Sequence, residues 1–78
     1  MMNDKLKKEI ASQIVELRES RGFTQQDLAE RMNVSRSTVA NWEQQRREVG
    51  ADELLKIYDI FGVDTNEYIN KLKKFLYK

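Results

Sequence analysis

Apolar residues recur along this chain at the spacing of helix faces. Leu6, Ile10, Ile14 and Leu17 follow one another at steps of four, four and three, which marks one side of a helix. The spacing predicts a first helix over 4–20, with Asn3 or Asp4 as its N-cap and Gly22 just past its end. Thr24 then caps a second helix, with Asp27 three residues on in a capping-box relation and Leu28, Ala29 and Met32 as the apolar side. Ser35 caps a third helix over 36–44, in which Val39 and Trp42 share the inward side. Only Asn33 and Val34 separate that cap from the second helix. So tight a joint needs a residue at positive φ, which Asn tolerates better than any residue except Gly. Residues 45–50, QRREVG, read as a polar, irregular connection. Leu54, Leu55, Ile57, Tyr58 and Phe61 define a fourth helix closed by Gly62. Asp64 and Glu67 form a second capping box and open a fifth helix over 65–78, where Tyr68, Ile69, Leu72, Phe75 and Leu76 repeat at helical spacing. The expectation is an all-α chain of five helices with no strand.

Size narrows the picture further. Seventy-eight residues form one domain, 1–78, and a domain this small buries only about 60% of its unfolded surface. With no Cys, a disulfide cannot add stability, and oligomerisation is the device left to it. His is absent too, which removes the commonest general base and, with Cys missing, argues against a structural zinc. No metal, cofactor or small-molecule ligand is expected. No nucleophile–base pair, metal cluster or phosphate loop is visible, so the chain does not read as an enzyme. No apolar run approaches the roughly 20 residues that span a bilayer, and no signal-peptide core opens the chain; a cytoplasmic protein is expected. The net charge of +1 hides an uneven distribution. Residues 48–67 carry six acids against the single Lys56, whereas the last eleven residues carry four Lys and no acid. One side of the molecule is expected to turn away from phosphate.

The chemistry concentrates in residues 22–43, GFTQQDLAERMNVSRSTVANWE. Ala29 is small where the second and third helices approach closely, and Leu28, Val34, Val39 and Trp42 fill the angle between them. With those positions buried, Arg36, Ser37, Ala40, Asn41 and Gln44 face outward from the third helix. A helix bearing such short polar and basic side chains suits the major groove of double-stranded DNA. Arg pairs bidentately with guanine O6 and N7, and Asn with adenine N6 and N7, each worth roughly 1–3 kcal/mol of discrimination.

The same residues, LR followed by G-F-T-Q, LA, VS and WE, resemble the Xre family of helix-turn-helix proteins, the class of the phage Cro and cI repressors. The resemblance covers about residues 10–70 and implies the five-helix lambda-repressor-like fold, with the helix-turn-helix at 25–44. Carried over by position, it implies base contacts from Arg36, Ser37 and Asn41, with Gln44 as a fourth. It implies phosphate contacts from Gln25, Ser35 and Thr38, and from Arg46 and Arg47 beyond the helix end. It also implies a structural ion pair between Arg18 and Glu43. The chain departs from the family pattern at three places. Asn33 and Gln45 stand where Gly is common, and Val49 where Pro is frequent.

Two classes of function follow. The first is a sequence-specific transcriptional regulator acting as a homodimer on pseudo-palindromic operators. A phage repressor, a Cro-like switch, a restriction–modification controller and a stand-alone antitoxin all fit that description. The second is a protein-interaction module, such as an antitoxin binding its toxin, with DNA contact secondary. The apolar side of the fifth helix, Tyr68, Leu72, Phe75 and Leu76, is the candidate dimer interface in the first case and motivates the second.

Overall fold

The computed structural model describes residues 3–75. Among them five helices follow in order: α1 (Asp4–Ser20), α2 (Gln25–Met32), α3 (Arg36–Glu43), α4 (Ala51–Phe61) and α5 (Thr65–Lys73). No strand occurs among the described residues, and none of their helices is long and apolar enough to cross a membrane. The regular part of α5 stops at Lys73, short of the expected 78, and Leu76 lies outside the described residues.

Side chains supply the starts of these helices. Asn3, not Asp4, caps α1: its Oδ1 accepts from the Leu6 N–H at 2.7 Å. Thr24 and Asp27 form the full reciprocal box, with bonds of 3.0 and 2.9 Å. Ser35 Oγ accepts from the Thr38 N–H at 3.2 Å. Asp64 makes only half of the expected box, accepting from the Glu67 N–H at 3.2 Å. The return type of bond is found at α4, where Glu53 Oε1 accepts from the Gly50 N–H at 2.8 Å.

The ends of α1 to α4 share one solution. Gly22, Asn33, Gln45 and Gly62 each take a left-handed conformation, with φ of 70, 59, 63 and 64°. At each, the next residue's N–H reaches back five residues: Phe23 to Arg18, Val34 to Ala29, Arg46 to Asn41 and Val63 to Tyr58. This is the Schellman motif, which satisfies carbonyls the helix leaves open. Three of those following residues, Phe23, Val34 and Val63, are apolar and pack against the core. The fourth is Arg46, so at the end of α3 alone the chain is not drawn inward.

The core collects Ile10, Ile14 and Leu17 from α1, Leu28, Ala29 and Met32 from α2, and Val39 and Trp42 from α3. Leu54, Ile57, Tyr58 and Phe61 come from α4 and Leu72 from α5. One of the apolar residues that mark α4 is outside it. Leu55 is 47% exposed, because the face of α4 is the 54, 57, 58, 61 series and residue 55 lies a quarter-turn away. Val49 joins the core at 6% exposure and anchors the irregular connection before α4. Gln13 is buried among these apolar groups, its Oε1 accepting from the Tyr58 hydroxyl while its Nε2 has no protein partner. The two ends of the described chain meet: Asn3 Nδ2 donates to the Phe75 carbonyl at 2.8 Å.

Candidate nucleic-acid interface

The surface of α3 divides as the sequence suggests. Val39 and Trp42 are 0% and 1% exposed and press the helix onto the core. On the other side Arg36, Ser37 and Gln44 are exposed and Asn41 is half-buried. Trp42 is therefore a packing residue, unavailable for stacking on bases.

The start of α3 has its own electrostatic character. Acids stand in the first turns of α1 (Asp4), α2 (Asp27), α4 (Asp52, Glu53) and α5 (Glu67), whereas α3 has none. Its positive dipole end is thus left uncompensated by carboxylate, a setting that favours an anion. Three hydroxyls surround it. Ser35 Oγ lies 3.0 Å from Ser37 Oγ and 2.9 Å from Thr38 Oγ1.

Behind this end runs a connected set of polar bonds. The Arg18 guanidinium donates from Nε to Glu43 Oε2 at 2.8 Å and from Nη2 to Oε1 at 3.2 Å. These two side chains are 13% and 7% exposed, and Arg18 Nη1 also donates to the Phe23 carbonyl at 2.8 Å. The implied ion pair is present and ties α1 to the end of α3. Hydrogen bonding to Glu43 holds the Arg18 guanidinium above its ordinary pKa, against the opposing effect of burial. Gln25, the first residue of α2, joins the same carboxylate: its Nε2 donates to Glu43 Oε1 at 3.0 Å. Its Oε1 accepts from Arg36 Nη1 at 3.2 Å. Nothing in the spacing foretold that Gln25 touches both, because the approach of α2 to α3 is purely tertiary.

Arg46 and Arg47 are exposed at the end of α3, and their backbone N–H groups are spent on the Asn41 carbonyl at 2.9 and 3.3 Å. What they offer a ligand is the side chain. On α5 the candidate dimer residues separate. Leu72 is 6% exposed and belongs to the chain's own core, a correction to its reading as a surface contact, since little of it is left for a partner. Tyr68 is half-buried against the Tyr58 ring, centroids 5.3 Å apart, and Phe75 is half-buried. Neither sits with the α3 cluster.

Two short helices meeting across a left-handed Asn33, the second buried on one side and polar on the other, define a helix-turn-helix unit. The chain belongs to the helix-turn-helix family, whose model matches residues 14–68. Among curated proteins it is similar to the HTH-type transcriptional regulator ImmR of Bacillus subtilis (strain 168), 29% identical over 62 residues. That match takes in 80% of this chain but 49% of the regulator, so the chain spans about half the length of this relative. Among solved structures it is similar to the wild-type restriction–modification controller protein C.Esp1396I, with 25% identity and a TM-score of 0.79, over 97% of this chain and 100% of the other. C.Esp1396I bound to a 25 base pair operator site gives 26% identity and a TM-score of 0.74, over 94% and 96% of the two chains.

Proposed function

We propose that this chain is a sequence-specific DNA-binding transcriptional regulator that docks α3 in the major groove. The observation that carries the proposal is the two-sided α3, with Val39 and Trp42 sealed inside and Arg36, Ser37, Asn41 and Gln44 turned outward from a helix start free of acids. Arg36 reads guanine, Asn41 reads adenine, and Ser37 and Gln44 complete the base contacts. Ser35, Thr38 and the start of α2 at Gln25 face one run of phosphates, and Arg46 and Arg47 the run beyond the end of α3. The relatives support this reading, since one is named a transcriptional regulator and the other is seen on an operator.

A homodimer serves that function best. Two copies of α3 about 34 Å apart would read half-sites one duplex turn apart, and pairing multiplies the few phosphate contacts one copy makes. Tyr68 on α5 and Phe75, two residues past its end, would supply the contact. The setting for such a regulator is the cytoplasm.

The test is binding to a randomised double-stranded pool and to the DNA upstream of the chain's own gene, at graded salt. A selected palindromic motif with affinity that falls as salt rises supports the proposal. Equal binding to every sequence, or none at moderate salt, defeats it. Arg36→Ala should relax one position of the motif while leaving the thermal midpoint unchanged.

A further inference from the structure

One buried donor on the inner side of α3 has no acceptor in the protein. The Trp42 side chain is 1% exposed, and its indole Nε1 meets no hydrogen-bond partner among the described residues. A buried indole N–H is seldom left so, because it gives up its bond to water and gains nothing in return. The indole does not stand against solid packing. A recess of about 10 Å³ opens between Trp42 and Ile10 on one side and Gln45, Arg47, Glu48 and Val49 on the other. That is about the least room in which one water fits, and too little for any larger molecule. Gln13 Nε2, the other such donor among the described residues, borders a cleft of about 340 Å³, far more than one water needs.

The wall facing the indole offers oxygens. The N–H groups of Gln45, Arg46 and Arg47 turn back to carbonyls of α3, at 3.2, 2.9 and 3.3 Å. Among the described residues, nothing donates to the carbonyls of 45–48. A molecule bridging the recess must therefore accept from the indole and donate across it. Gln45 and Val49 also stand where this chain departs from the family pattern, so these walls are its own.

We propose that the recess is a binding site for one structural water. It accepts from Trp42 Nε1–H and donates to the free carbonyls of 45–48, tying the connection that carries Arg46 and Arg47 to the buried side of α3. Water both accepts and donates, and its ordering costs no more than an indole left unpaired. The site depends on the packing around Trp42 alone and stands whether or not α3 reads DNA.

Magnetisation transfer from water to the indole Nε1 proton, measured by NMR on the full chain, tests it. Trp42 is the chain's one Trp, so the resonance is unambiguous. A water held longer than the protein tumbles gives laboratory-frame and rotating-frame Overhauser effects of opposite sign, whereas proton exchange with solvent gives the same sign. The expected result is a cross-peak of opposite signs. It should vanish in Val49→Ile, whose added methyl fills the recess, and persist in Glu48→Ala, with thermal melts verifying that both variants are folded. A high-resolution crystal structure should show a single oxygen between Nε1 and the 45–48 carbonyls. No cross-peak, same-sign signals, a cross-peak that survives Val49→Ile, or a recess without density would each overturn the proposal. Loss of the cross-peak in Glu48→Ala would overturn it as well, by assigning the indole proton to the Glu48 carboxylate.

Discussion

At the scale of single residues, two positions carry energy in ways their contacts alone do not show. Gln45 sits at φ 63°, a conformation that costs a residue with a Cβ about 1–2 kcal/mol. Gln45→Gly relieves it at the end of α3, and the expected gain in urea denaturation is up to about 1 kcal/mol. The larger backbone freedom of Gly in the unfolded chain offsets the rest. Asp27 is the second. Bonds from the Thr24 backbone N–H and hydroxyl hold its carboxyl below the ordinary carboxylate range. Its folded pKa is depressed, so its contribution is present above the unfolded value and is lost as pH falls through the folded one. Asp27→Asn should flatten stability against pH on the acid side. The sequence disclosed Asn33 as a turn residue because Asn tolerates the left-handed region, whereas Gln has no such preference and only the family pattern, with Gly common at position 45, pointed to Gln45. The same geometry lies at both, and only one is written in the residue type.

Between helices, the decisive forces are a few polar links set in an apolar core. Removing Arg18 would strand the Glu43 carboxylate where it is 7% exposed, and Arg18→Met is expected to destabilise by about 3–5 kcal/mol. Thermal melting would reveal a large drop, because small domains have only about 5–10 kcal/mol in all. Tyr58 joins α4 to α1 through Gln13, and burial pushes its hydroxyl up to about 12. An unfolded tyrosine titrates near 10. Because the folded value is raised, the stabilisation is complete below about pH 10 and drains away as pH rises toward 12. Tyr58→Phe should remove that alkaline loss and, by leaving Gln13 Oε1 buried without a donor, destabilise the chain by about 1–3 kcal/mol at neutral pH. The helices themselves were legible because caps and periodicity agree along α1 to α4. Leu55 helped mark the fourth helix with four other apolar residues, yet only the i, i+3, i+4, i+7 series of that segment faces inward. Gln13, a polar residue in mid-helix, gave no sign that it would be buried; a tertiary partner 45 residues away decides it.

Taken whole, the molecule is nearly neutral, so the proposed hold on DNA must come from where charges sit. The acids of 48–67 are gathered on and around α4, and Arg36, Arg46 and Arg47 flank α3. Arg46→Ala should weaken binding evenly across sequences and reduce the salt slope by about one per chain, in contrast to the position-specific loss from Arg36→Ala. Assembly can be tested separately. Phe75→Asp should yield a folded monomer by sedimentation equilibrium, whereas Leu72→Asp should unfold the chain because Leu72 is already core. The helix-turn-helix site was readable because its spacing is local. The partner surface was not, because a buried and a half-exposed leucine or phenylalanine look alike in a helical repeat.

The bond from Asn3 to the Phe75 carbonyl makes a single side chain do two tasks, opening the first helix and fastening the tail of the last. Residues 3 and 75 therefore stand beside one another at a single corner. A few flexible residues would suffice to splice them, and a circularly permuted gene cut within 45–48 should still yield the same bundle. Asn3→Ala would loosen both tethers at a stroke.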